Sequence, residues 1–142
     1  MKLYKITDKD GQTKGKVQWG DNVTHTATGA RAKLCTDGVI HCYESALLAV
    51  FMDPAHGDYL RLGGLMFEAD GDIAVSDGTK AGCKSLITTR RIDVPKVTLT
   101  QIVAFGILSA KQVCDDPVWN RWADDWLNGK DRTAEAARGV AW

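Results

Sequence analysis

The sequence predicts an α+β fold: a mixed, mostly antiparallel β-sheet with one helix after its central strand and a C-terminal group of two or three helices. Three observations carry this. Residues 1–95 alternate short extended runs with Gly- and Asp-rich turns, residues 44–53 are apolar at close spacings, and beyond Asp93-Val94-Pro95 the pattern turns helical. The 142 residues, 44% hydrophobic, read as a single domain, 1–95 mainly β and 96–142 helical, long enough to close a core without metal or disulfide staples.

In order, residues 3–7 alternate Leu3, Lys5 and Thr7 against Tyr4 and Ile6, and Asp8-Lys9-Asp10-Gly11 then turns the chain. Residues 16–19 resume an extended pattern, so the segment reads as a β-hairpin with Asp-Gly supplying the left-handed positions. The Thr-rich residues 23–28 suit a pleated strand. After the central helix, Leu65, Phe67 and Ala69 line one face of a run, and Asp70-Gly71-Asp72 and Asp77-Gly78-Thr79 read as turns on either side of 73–75. Residues 85–92 form a further strand ending in Arg90 and Arg91, a pair that could hold an anion. In the helical part, Thr98 caps one helix, Asp116 with Pro117 starts the next, Asn128-Gly129 stops it, and Asp131 caps a last one over 132–140.

The chain is organised around residues 34–53, LCTDGVIHCYESALLAVFMD, where a two-cysteine strand runs directly into an apolar helix that Pro54 ends. Strand alternation sends Ile40 and Cys42 inward and leaves Val39, His41 and Tyr43 as an outer wall that a partner could touch.

Lys plus Arg and Asp plus Glu number 18 each, so no net field draws the chain to nucleic acid or an anionic membrane. The N-terminus lacks the apolar run of a signal peptide and no stretch approaches the length of a membrane span, which reads as a cytoplasmic protein. Cys35, Cys42, Cys83 and Cys114 include no C-x-x-C knuckle and read as small buried side chains in a reducing compartment; no metal site is expected. His41 and Cys42 face opposite sides of a strand, and Asp37-Gly38 breaks the strand between Cys35 and His41, so neither pair suggests a catalytic thiol. Walker, G-x-G-x-x-G, H-E-x-x-H and G-x-S-x-G signatures are absent.

Trp119, Trp122 and Trp126 recur at i, i+3 and i+7 on one helical face. Such a stripe serves either as the side that docks on the core or as a partner-binding surface, for indoles suit both. Trp142, preceded by Ala134, Ala136, Ala137 and Ala141, leaves room for a tail pairing with a second copy, hence a homo-oligomer through the C-terminal helices.

The succession LYKITDKDG, CTDGVIHC, an apolar helix and an Arg-bearing strand leading into a long helix resembles a family of small phage and prophage domains of unknown function, over about residues 1–115. Cys35, Gly38 and Cys42 fall on its C-x-x-G-x-H-x-C pattern, with Ile40 at the family's histidine position and His41 one place later. The resemblance implies a viral accessory protein in the host cytoplasm, without catalysis, that binds another protein, a host or defence component. A second resemblance is to the split-sheet core of ADP-ribosyltransferase-like proteins. It would place Tyr4, His41, Tyr43 and Ser45 around NAD, although residues 85–91 (SLITTRR) carry arginines where that chemistry needs a carboxylate.

Overall fold

The computed structural model describes residues 1–140, so the tail pairing expected of Ala141 and Trp142 lies outside the described residues. The chain is α+β and divides into two compact units, Met1–Pro95 and Lys96–Trp142, where strand character gives way to helix.

In the first unit, β1 (Lys2–Thr7) pairs antiparallel with β6 (Leu65–Ser76), and β6 with β7 (Ala81–Ile92). The β6–β7 hairpin turns at Asp77-Gly78-Thr79, as expected. There the Asp77 carboxylate accepts from the backbone N–H of Thr79 and Lys80, and Gly78 takes a φ of 83°. The opposite edge of β7 carries two short strands: β5 (Ile40–Cys42) at its start and β4 (Val23–Thr26) along its middle. One residue past β5, Tyr43 exchanges both backbone hydrogen bonds with Tyr4 of β1, at 2.8 and 2.9 Å. The strands β1, β6, β7 and β5 thereby close into a ring. Register shifts between Glu68 and Val75 supply the bend that closure requires. At Gly71 a Cβ would lie 2.8 Å from the Ser85 carbonyl, so the close strand approach there needs glycine.

Side chains alternate between two cores. Leu3, Trp19, Cys42, Ala69, Ala81, Cys83 and Leu86 fill the inside of the ring. Ile6, Tyr43, Ala49 and Met66 meet on the other side, under α1 (Ala46–His56). Ser45 starts α1, its hydroxyl accepting from the Leu48 N–H.

Four sequence expectations for the first unit are corrected here. Residues 3–7 pair with β6, not with residues 16–19; the small hairpin is instead β2 (Gln12–Thr13) with β3 (Val17–Gln18), turning at Gly15 with a φ of 79°. Asp70-Gly71-Asp72 is no turn but the bulged middle of β6. The central helix begins at Ala46 and runs past Pro54 to His56. The residue before a proline ordinarily leaves the helix. At Asp53, however, the carboxylate accepts from the Tyr59 and Leu60 N–H groups at 3.1 and 2.9 Å, and the carbonyl from Gly57 and Asp58, which keeps the chain turning. Finally, the outer wall of β5 is covered: Val39 and Tyr43 are 5% and 8% exposed, Val39 packing on Gly82 and Tyr43 under α1.

The second unit is three helices: α2 (Leu99–Lys111), α3 (Pro117–Leu127) and α4 (Ala134–Val140). Thr98 and Gln101 form a reciprocal capping box, and Asp116 caps α3 with Pro117 in its first turn. Thr133, not Asp131, caps α4 by accepting from the Ala136 N–H, while Asp131 holds the Thr133 hydroxyl. The core of this unit is Ile107, Ala123 and Trp126. No helix among the described residues is long and apolar enough to cross a membrane.

Candidate functional site

The chemistry of the first unit gathers around β5. His41 is half-buried, and its Nε2 accepts the backbone N–H of Cys35 at 2.8 Å, which leaves the proton of the neutral ring on Nδ1. Burial first, then the nearby Lys5 and Lys80 charges, lower the imidazole pKa and favour that neutral form. Cys35 itself is exposed and left-handed, with a φ of 62°. Its sulfur accepts from Lys80 Nζ at 3.1 Å. Both residues are held by their backbones, Cys35 by His41 and Lys80 by the Asp77 carboxylate.

Inside the ring, on the other face of β5, the Lys5 ammonium donates to the His41 carbonyl at 2.7 Å and lies 5.0 Å from the centroid of the Trp19 ring. Lys5 is only 8% exposed, and burial brings its pKa down to about 8. Beside it the Cys42 and Cys83 sulfurs, both fully buried, stand 3.7 Å apart, and burial raises the pKa of both thiols. Of the four cysteines that the sequence reads as small buried side chains, these two are so; Cys35 is exposed and Cys114 half-buried.

The residues that the ADP-ribosyltransferase resemblance picks out are dispersed. The Tyr43 hydroxyl lies 2.9 Å from His56 Nδ1 with the rings stacked, and burial pushes the phenol up. Tyr4 hydrogen-bonds Tyr43 through the backbone, and Ser45 is spent as a helix cap. None of Tyr4, His41, Tyr43 and Ser45 lines the open groove of about 420 Å³ on this unit, which is bordered by Val50, Asp53, Pro54, Leu60, Arg61 and Val94. Arg90 is paired with Glu68 at 2.8 Å, and Lys2 reaches the same carboxylate at 2.6 Å. Arg91 borders a shallow second groove with Arg90, Ile92 and Asp93, and its backbone N–H donates to Asp21. No group of three or more His, Cys, Asp or Glu side chains among the described residues is placed to hold a metal ion.

In the second unit the tryptophan stripe turns inward. Trp126 is 8% exposed and stacked under the Arg132 guanidinium at 4.7 Å, while Trp119 and Trp122 are half-buried with ring centroids 5.7 Å apart. The Trp122 Nε1 is buried without a hydrogen-bond partner among the described residues. The outward apolar residues are others: Leu99, Ile102 and Leu108 of α2, 75%, 49% and 51% exposed, with Val113 and Val118 beyond. Sequence reasoning gave no site role to these or to Lys5 and Lys80, and it set Cys35 aside. The signal for Lys5 was available in its parity, since it shares a strand face with Leu3 and Thr7. Lys80 meets Cys35 only through the tertiary fold.

No family model matches the chain, and neither the curated proteins nor the solved structures yield a match to it.

Proposed function

We propose that the chain is a phage- or prophage-type accessory protein that acts without catalysis by binding another protein, a host or defence component, through the outer side of α2. The observation that carries this reading is the composition of that side. Among the 13 residues of α2 the one charged side chain is Lys111, and it is tied to Asp124 of α3 at 2.7 Å. A helix with one face on a core normally turns charge to water. Here Leu99, Ile102 and Leu108 are exposed instead, and apolar side chains left in water where charge is expected support reading this helix as an interaction surface. The resemblance of residues 1–115 to small phage domains supports the biological setting, and the inward tryptophans move the proposed contact from α3 to α2.

The test is capture from host lysate with the full chain against the double variant Ile102→Glu, Leu108→Glu. Both substitutions fall on exposed positions, so the melting profile of the double variant should match the parent. The expected outcome is a protein retained by the parent and lost from the variant. A variant that retains the same proteins as the parent overturns the assignment, and a parent whose own dimer dissociates on substitution, seen by light scattering, replaces the foreign partner with a second copy.

A further inference from the structure

We propose that Cys35 and Lys80 form an oxidative crosslinking site, in which a peroxide oxidises the Cys35 sulfur and the Lys80 amine traps it as a sulfur–nitrogen bond. This is independent of the protein-binding reading, because it rests on the first unit alone.

The two side chains already touch. Lys80 Nζ lies 3.1 Å from Cys35 Sγ, although 45 positions separate them in the chain, and neither has to move its backbone to meet the other. The His41 Nε2 fixes the Cys35 amide at 2.8 Å, and the Asp77 carboxylate fixes the Lys80 amide at 3.0 Å. Cys35 is exposed, so a small oxidant reaches it. A cation beside an accessible sulfur is the setting in which cysteines react.

A second thiol would ordinarily resolve an oxidised cysteine as a disulfide. The other two cysteines of this unit are unavailable, since Cys42 and Cys83 are fully buried inside the ring and contact each other. Lys80 is the nucleophile in place of a resolving thiol.

In the first step the Cys35 sulfur attacks one oxygen of the peroxide and the O–O bond breaks. With hydrogen peroxide the departing hydroxide takes a proton from the Lys80 ammonium, the thiol proton is released to solvent, and the products are a sulfenic acid and one water beside a neutral amine. In the second step the amine lone pair attacks the sulfenic sulfur, the S–O bond breaks, and the hydroxyl leaves with an amine proton as a second water. Sulfur is oxidised by two electrons, the peroxide is reduced by two, and the protein loses two hydrogen atoms. The crosslink ties the strandless segment 27–39, which holds the exposed Arg31 and Lys33, to the β6–β7 turn.

The experiment treats the reduced full-length chain with hydrogen peroxide, followed by intact mass and peptide mapping without and with dithiothreitol. The expected result is loss of two hydrogens, a linked peptide pair joining Cys35 to Lys80, and its release by thiol. Lys80→Arg keeps the positive charge but not the nucleophilic amine; it should abolish the linked pair and leave a Cys35 sulfenic acid that dimedone captures. A Cys42→Ser, Cys83→Ser variant should still crosslink, which separates the product from a disulfide of equal mass. The proposal is overturned if the linked pair is missing from the oxidised parent, if it survives in Lys80→Arg, if the lost hydrogens map to a Cys42–Cys83 disulfide, or if the linked pair carries an extra oxygen.

Discussion

Replacing Lys5 by Met removes an ammonium from the inside of the strand ring, and the consequence should be read in the pH dependence of stability. In the unfolded chain Lys5 titrates at its ordinary 10.5, and in the folded chain at about 8. Above 10.5 the amine is neutral in both states. As pH falls from there towards 8 the unfolded chain takes up a proton that the folded chain refuses, so stability drops, and below 8 the loss is complete. At about 1.4 kcal/mol per pH unit, the displacement amounts to about 3 kcal/mol of stability gained by the wild type between pH 8 and 10.5, less whatever local water penetration returns. The largest cause is burial, and the charge-assisted bond to the His41 carbonyl and the Trp19 ring offset it only in part.

Other groups run the opposite way. Cys42, Cys83 and Tyr43 have folded pKa values raised by burial, so their stabilisation is present at neutral pH and is lost as pH climbs through their ordinary values. The wild-type curve alone therefore mixes signs, and the difference between wild type and Lys5→Met isolates the lysine. Urea unfolding of both proteins at half-unit steps from pH 7 to 10.5 supplies it. The wild type should rise against the variant by about 3 kcal/mol, with the change centred between 8 and 10.5. The Trp19 indole N–H, which donates to the Thr13 hydroxyl at 3.1 Å, should report the same titration near pH 8 by NMR in the wild type and not in the variant. A flat difference across this range would refute the reasoning, because it would mean that the ammonium is hydrated in the folded state.

Two further outcomes test the architecture. Gly64→Ala should destabilise the first unit by about 2 kcal/mol or more in urea, because the added Cβ would fall 2.4 Å from the Thr7 carbonyl and 2.7 Å from that of Tyr59, both rigid backbone. Thr98→Ala should cost about 1 kcal/mol by removing one half of the capping box, with the loss confined to helical circular dichroism at the start of α2; an unchanged melt would show that this helix end is held by other contacts.

The sequence made the fold class legible because local signals and long-range pairing agreed in most places. Thr98, Asp116 with Pro117, and Asp77-Gly78 each act within a few residues, and each does what its chemistry dictates. The failures lie where a distant group overrides a local rule. Pro54 would end a helix but for the Asp53 carboxylate, which is engaged by two amides six and seven residues on. Asp70-Gly71-Asp72 has the composition of a turn, yet the pairing of Asp70 with Ile87 and Gly71 with Leu86 stretches it into the sheet. Cys35 and His41 were set aside because Asp37-Gly38 interrupts the strand. That break is real, and the strandless segment it closes is what carries the Cys35 amide onto the imidazole.

Ring closure explains why both sides of β5 are covered and why a lysine is held inside. An open sheet would give β5 one buried face and one wet face, as alternation suggests. Once Tyr43 hydrogen-bonds back to Tyr4, the face of β1 bearing Leu3, Lys5 and Thr7 looks into the same enclosed space as Cys42 and Cys83, and the other face lies under α1. A lysine in such a place needs a partner, and no carboxylate is among its contacts: these are a carbonyl and an indole face. That carbonyl belongs to His41, whose ring on the opposite side holds Cys35. A single residue of β5 thus connects the enclosed interior to the loop that bears the exposed sulfur, and perturbation of the Lys5 charge should reach Cys35 through His41, whose carbonyl meets Lys5 and whose ring meets the Cys35 amide.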